Sequence, residues 1–162
     1  MEQPLPCIPL PYRLLLLYIE PVFALNGSIL CLFQPELFLH AFSPKLKYSH
    51  DSQLVFDQLA ATYLLFAFNQ AVVLRVAKDL RVWKAIVLGI LLCDTVHLWA
   101  GWKVMGTEVF VRPWLWRIED WVAISSLVIP MAMRAAFLRE VGIEKGEGKA
   151  ANGKVKALGR DK

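Results

Sequence analysis

Residues 85–102 read AIVLGILLCDTVHLWAGW, and this stretch decides the fold. It is long enough and apolar enough to cross a bilayer as one helix, because about 20 apolar residues span the hydrocarbon core. Near its middle stand Asp94 and His97, three residues apart and therefore on one helix face. An ionisable residue in a spanning helix costs roughly 2.5–3.5 kcal/mol and usually faces the protein interior or a wet cavity. Asp94 and His97 therefore mark a candidate site.

The composition of the whole chain is typical of a multi-pass membrane protein. Of its 162 residues 57% are hydrophobic, which exceeds the value expected of a soluble domain, and the excess lies in long runs. Three further runs predict spanning helices at Leu14–Phe33, Leu54–Val76 and Trp121–Leu138, and a short interfacial helix is expected around Pro35–Phe42. We therefore predict an all-α protein, a four-transmembrane-helix bundle with short loops and a disordered basic C-terminal tail.

The chain is expected to divide into three segments. Residues 1–11 are rich in proline and should be extended, whereas residues 12–139 should form the membrane domain. Residues 140–162 are rich in Gly, Lys and Ala without an apolar period, which predicts a disordered tail. The first apolar run is too long for the apolar region of a cleaved signal peptide, so the first span should itself act as the targeting signal.

The distribution of lysine and arginine predicts the orientation. Twelve of these residues lie in the N-terminal segment, in the loop between the second and third spans, or in the tail, and five lie in the other two loops. The positive-inside rule therefore places both termini in the cytosol. We expect the membrane to be that of the endoplasmic reticulum.

Polar residues from all four predicted spans should lie at overlapping depths. At a rise of about 1.5 Å per residue, they lie roughly 7–15 Å from the cytosolic edge. These residues are Glu20, Asn69, Asp94 and Arg134. His97, Gln58 and Asn26 should form a second layer nearer the lumen. Pro21 directly follows Glu20 and predicts a kink beside this acid, because proline removes a helical hydrogen bond.

These residues allow both a functional and a structural interpretation. Asp94, His97 and Glu20 are candidate catalytic residues, because a buried carboxylic acid can act as a general acid and a neutral histidine as a base or proton relay. Asp94 and His97 are expected to titrate as a coupled pair. The candidate substrate-binding residues are Asn69, Gln58, Thr62, Asn26 and Arg134. Polar side chains in membranes also hold helices together, and Glu20 with Arg134 would equally serve as a structural ion pair.

The residue inventory argues against several chemistries. Three histidines, one of them in a span, are too few for a histidine-rich di-iron site or a bis-histidine haem. Three cysteines provide neither a disulfide framework nor a zinc-binding spacing. The chain also lacks a phosphate-binding glycine loop and a nucleophile elbow. We expect no metal and no cofactor.

Several motifs follow one another between about Ile8 and Gly142. They are Tyr-x-Glu-Pro at Tyr18–Pro21, Asn69 with Arg75, Asp79–Trp83, Asp94 with His97, and Asp120–Trp121. In this pattern the chain resembles a family of small fungal four-span membrane proteins without an assigned general activity. More distantly, its plan is similar to emopamil-binding sterol isomerases and fungal integral-membrane terpene cyclases, whose buried acids protonate a lipophilic substrate. This resemblance implies a lipophilic ligand and a role in sterol or secondary metabolism.

Three functions remain open. The leading hypothesis is that the protein binds a lipophilic terpenoid, sterol or polyketide and acts on it as an acid/base isomerase or cyclase. The second is a small proton-coupled transporter, because small multidrug exporters also have four spans with an acid in the first. The third is a non-catalytic membrane subunit or scaffold. The expected partners are the bilayer, a lipophilic ligand, and a second copy of the chain or pathway enzymes, but no nucleic acid.

Overall fold

Residues 6–143 are described by a computed structural model and form helices joined by short turns. The helices in order are α1 (Leu10–Phe33), α2 (Pro35–Phe42), α3 (His50–Val76), α4 (Leu80–Met105), α5 (Thr107–Phe110) and α6 (Ile118–Leu138). Four of them, α1, α3, α4 and α6, are long and apolar enough to cross a membrane. The predicted all-α fold with four spanning helices is therefore confirmed for the described residues, and it supports an integral membrane protein. The short helix at Pro35–Phe42 is also present.

The four long helices pack as two neighbouring pairs with a core at each end. α1 runs along α3, α4 packs against α6, and α2 contacts α1, α4 and α6. One core lies where α1 begins and contains Tyr12, Leu16, Leu74, Trp83 and Phe137. The other lies toward the opposite end of α1 and contains Cys31, Phe56 and Ala60. Along α1 and α3, the buried polar residues Glu20 and Gln70 lie between these two apolar cores.

Two wide π-turns adjoin these polar residues. They cover Leu15–Ile19 in α1 and Asn69–Val73 in α3, and they contact each other. In each of them a backbone N–H bonds the carbonyl five residues earlier instead of four; the donors are Glu20 and Leu74. Such turns insert an extra residue into a helix and are frequent at functional sites.

The distortion predicted at Pro21 is stabilised by a side chain from another helix. Proline has no N–H for the carbonyl of Leu17, four residues earlier. Arg75 of α3 donates from Nη2 to this carbonyl oxygen at 3.0 Å. The Arg75 guanidinium also lies 4.8 Å from the centre of the Tyr18 ring. The Tyr-x-Glu-Pro motif and Arg75 therefore form one local unit.

The ends of the helices differ from the sequence-based boundaries. α4 begins at Leu80, because the Asp79 side chain accepts a hydrogen bond at 2.8 Å from the backbone N–H of Arg81 and so caps the helix. The basic connection therefore lies largely on the first turns of α4. α4 ends at Met105, and the φ of 78° at the next residue, Gly106, favours glycine.

Packing continues beyond the predicted end of the membrane domain. Glu140 forms an ion pair with Lys84 of α4. Tyr12 donates from its hydroxyl to the carbonyl oxygen of Val141 at 2.9 Å, and Ile143 is buried in the first core. Residues 140, 141 and 143, which were expected to belong to the tail, therefore contact the helical bundle. The rest of the predicted tail, residues 144–162, lies outside the described residues, as do residues 1–5.

Candidate functional site

Three ionic side chains from three spanning helices meet in the interior of the bundle. Nη2 of Arg134 lies 2.8 Å from Oε2 of Glu20, and Nη1 of Arg134 donates to Oδ2 of Asp94. Gln70 from α3 donates from Nε2 to the same Oε2 of Glu20. The side chains of Arg134 and Glu20 are only 6% and 7% exposed. We call these four residues the ionic cluster; each spanning helix contributes one of them.

The cluster contains three of the four residues expected to converge. Asn69, the fourth, is only half-buried, and its neighbour Gln70 takes its place. Gln70 and not Asn69 points inward because the buried face of α3 is formed by residues at helical spacing: Phe56, Ala60, Ala67, Gln70 and Leu74. Gln70 was missed by the sequence reasoning, although this spacing of apolar and small residues would have identified it.

The charges of the ionic cluster do not cancel when both acids are ionised. Arg134 supplies one positive charge to two carboxyl groups, those of Glu20 and Asp94. A charge without a partner is costly in an environment of low dielectric constant. Two buried atoms of the cluster, Oε1 of Glu20 and Nε of Arg134, have no hydrogen-bond partner among the described residues. The cluster is therefore a place where a proton can be held or transferred.

His97 lies outside the ionic cluster. Its Nδ1 is 3.2 Å from the carbonyl oxygen of Cys93, one turn earlier on α4. Its ring centre lies 6.3 Å from that of Tyr63. No hydrogen bond joins Asp94 and His97 within residues 6–143, because a three-residue spacing rotates the two side chains by about 60° and directs them to different neighbours. The two side chains are therefore not hydrogen-bonded to each other, and their coupled titration stays a prediction.

His97 instead lines a cavity between α2, α4 and α6. The cavity has a volume of about 40 Å³, and its wall is largely apolar, including Phe42, Leu98, Gly101 and Leu127. Asp120 also lines it, but this acid is paired with Arg117, whose Nη2 lies 2.7 Å from Oδ1. The hydrogen bond that Arg117 donates to Asp120 raises the pKa of Arg117, so the pair remains ionised. His97 is therefore the polar side chain of this wall that lacks an ionic partner in the described structure.

The other predicted binding residues lie on the outside of the bundle. Asn26, Gln58 and Thr62 are exposed, because they stand opposite the buried faces of α1 and α3. Thr62 donates from Oγ1 to the backbone carbonyl of Gln58 at 3.0 Å. The second polar layer that was expected to contain Asn26 and Gln58 beside His97 is therefore not formed inside the bundle.

The two regions have different chemical capacities. The ionic cluster can hold a proton, and the cavity beside His97 can accept an apolar group next to an imidazole. Among residues 6–143, no group of three His, Cys, Asp or Glu side chains is arranged to hold a metal ion.

Of the comparisons with known proteins, the one with protein-family models matches the chain across both regions. No curated protein and no solved structure matches the chain. The model of a family described as a domain of unknown function, DUF7704, matches residues 5–144. This match includes all four spanning helices, the ionic cluster and the cavity. The chain therefore belongs to the DUF7704 family.

Proposed function

We propose that the protein binds a lipophilic small molecule within the membrane, in the cavity between α2, α4 and α6. The observation that supports this proposal is the apolar wall with one imidazole in it. Ligand sites are usually concave and mostly apolar, with a few polar groups that orient the ligand. A site between membrane helices would be reached by molecules dissolved in the bilayer.

The size of the cavity indicates which part of a ligand it would hold. A volume of about 40 Å³ is too small for a whole sterol or terpenoid. It would accommodate the end of an alkyl or isoprenoid chain, while the remainder lies in the bilayer. A terpenoid, a sterol or a polyketide with an extended chain would fit this description, and the architectural resemblance to sterol isomerases and terpene cyclases motivates the same choice.

The chemistry proposed for this ligand is proton transfer. If Nδ1 of His97 donates to the carbonyl oxygen of Cys93, then Nε2 carries the free lone pair and can act as a base. Asp94 or Glu20 would supply the proton from the ionic cluster, and Arg134 would orient both acids. An isomerisation or cyclisation would use both regions, which lie about one helical turn apart along α4.

Photolabelling tests the cavity. The protein, in lipid nanodiscs, would be labelled with a diazirine analogue of farnesol and, separately, of cholesterol. Gly101 lines the cavity, and an added Cβ there meets no atom within 4 Å, so Gly101→Leu should fill the cavity without preventing folding. Gly89→Leu is the matched control, because its added Cβ also meets no atom within 4 Å and Gly89 does not line the cavity.

The two variants should give opposite results. We expect Gly101→Leu to reduce labelling of the α4 and α6 peptides about tenfold, whereas Gly89→Leu should leave it unchanged. Equal labelling of the wild type and Gly101→Leu with both probes would refute binding in this cavity. A protein that folds and supports its cellular role in both variants would instead act as a non-catalytic subunit.

Proton-coupled transport is the second candidate, because two acids share one arginine in the interior of the bundle. In reconstituted vesicles, an inward proton gradient should then drive movement of a hydrophobic cation such as tetraphenylphosphonium. Glu20→Gln should abolish this movement. Movement that persists in Glu20→Gln would exclude the cluster as the coupling site.

A further inference from the structure

We propose that the ionic cluster binds one proton, held on Oε1 of Glu20, while Asp94 and Arg134 form the ion pair. In this arrangement the cluster has a net charge of zero. The inference rests on the geometry of the cluster and does not depend on whether the cavity beside His97 binds a ligand.

The hydrogen-bond donors around Glu20 are distributed unequally. Nε2 of Gln70 donates to Oε2, and Nη2 of Arg134 lies 2.8 Å from the same oxygen as its ionic partner. Oε1 is buried and has no partner among the described residues. An ionised carboxylate accepts through both oxygens, whereas a neutral acid accepts chiefly through its carbonyl oxygen. Both polar partners of Glu20 therefore lie at one oxygen and none at the other, which matches a neutral acid with its hydrogen on Oε1.

The charges facing Glu20 favour the same assignment. Each of the other three spanning helices presents one polar group to Glu20: Arg134 from α6, Asp94 from α4 and Gln70 from α3. Only one of these groups is a cation, so two ionised carboxylates would leave one negative charge in the interior. When two carboxyl groups share one site, their mutual repulsion favours binding of one proton. Gln70 adds a neutral donor, which suits a carbonyl oxygen.

Two features indicate that Glu20 and not Asp94 holds the proton. The Glu20 side chain is 7% exposed and that of Asp94 is 12% exposed. The negative charge is therefore placed on Asp94, the less buried of the two acids. Arg134 also donates from Nη1 to Asp94, which provides the partner that an ionised carboxylate needs. If Arg134 moved wholly to Glu20, the proton would pass from Glu20 to Asp94, which would then lack its cation, so the cluster can transfer a proton between α1 and α4 without changing its net charge.

Infrared spectroscopy of the protein in lipid nanodiscs at pH 7 tests this assignment. A protonated carboxylic acid has a carbonyl stretching band that is separate from the amide and carboxylate bands and shifts on hydrogen–deuterium exchange. We expect one such band in the wild type, and ¹³C-labelled glutamate should shift it whereas ¹³C-labelled aspartate should not. This isotope measurement needs no substitution and therefore does not depend on the folding of any variant.

Substitutions provide the second part of the test. Glu20→Gln should remove the band, and Asp94→Asn should remove it as well, because Glu20 would then ionise and pair with Arg134. Glu36→Gln, an exposed acid on α2, is the control and should leave the band unchanged. The double variant Glu20→Gln/Asp94→Asn should lower the melting temperature by more than the sum of the two single changes, because Arg134 then has no carboxylate.

Two results would overturn the proposal. The absence of the band in the wild type at pH 7 would mean that both acids are ionised. A band that shifts with labelled aspartate and survives in Glu20→Gln would place the proton on Asp94.

Discussion

Removing Arg134, the cation shared by Glu20 and Asp94, should lower the stability of the bundle strongly. Neutralising both acids as well should restore most of that stability. Arg134→Met keeps much of the side-chain volume but removes the guanidinium that pairs with both Glu20 and Asp94. Asp94 then either stays charged without a partner or takes up a proton, and both are unfavourable. Removing one partner of a buried ion pair costs about 3–5 kcal/mol. For a chain of this size, that corresponds to a fall in melting temperature of roughly 6–20 °C.

The measurement is thermal unfolding in detergent, followed by tryptophan fluorescence and checked by size-exclusion chromatography. Arg139→Met is the matched control, because Arg139 is exposed at the end of α6 and should change the melting temperature little. The triple variant Arg134→Met/Glu20→Gln/Asp94→Asn has no buried charge in the cluster and should recover most of the loss, since replacing a whole buried ionic group is often close to neutral.

The reasoning would be refuted by a small effect of Arg134→Met, of about 1 kcal/mol or less, which is typical of an exposed ion pair. It would also be refuted if the triple variant were less stable than Arg134→Met alone, because the loss would then come from packing and not from uncompensated charge.

Three further predictions concern the helix contacts and the topology. Gly27→Val should weaken the contact of α1 with α3 by roughly 1–3 kcal/mol, because an added Cβ lies 3.3 Å from the Tyr63 ring; Gly89→Val is the control, and equal melting temperatures would contradict the prediction. Arg75→Gln should lower the free energy of unfolding by about 1–3 kcal/mol, because the Leu17 carbonyl loses its donor; an unchanged denaturant midpoint would show that this bond contributes little. A C-terminal tag should be cut by protease added to sealed microsomes, and protection of the tag would reverse the predicted orientation.

The sequence alone was sufficient to predict four helices long and apolar enough to span a membrane, and the relative heights of their polar residues. Hydropathy is a sum over neighbouring residues, and the position of a residue along a helix follows from a fixed rise per residue. Neither quantity depends on how the helices pack. Glu20, Asp94 and Arg134 were therefore predicted to lie at overlapping depths, and the structure brings them together. The short helix at Pro35–Phe42 was also identifiable, because proline begins it and apolar residues follow.

The tertiary structure decided which side of each helix faces the core. A helix turns by about 100° per residue, so a shift of one position changes the neighbour completely. This is why Gln70 replaces Asn69 beside Glu20, and why Asn26 and Gln58 lie outside. His97 shares a helix with Asp94, but it faces the cavity because α2 and α6 line that side of α4. The sequence thus determined which segments form the long apolar helices and the relative heights of their polar residues, whereas the rotation and packing of the helices determined which polar groups meet.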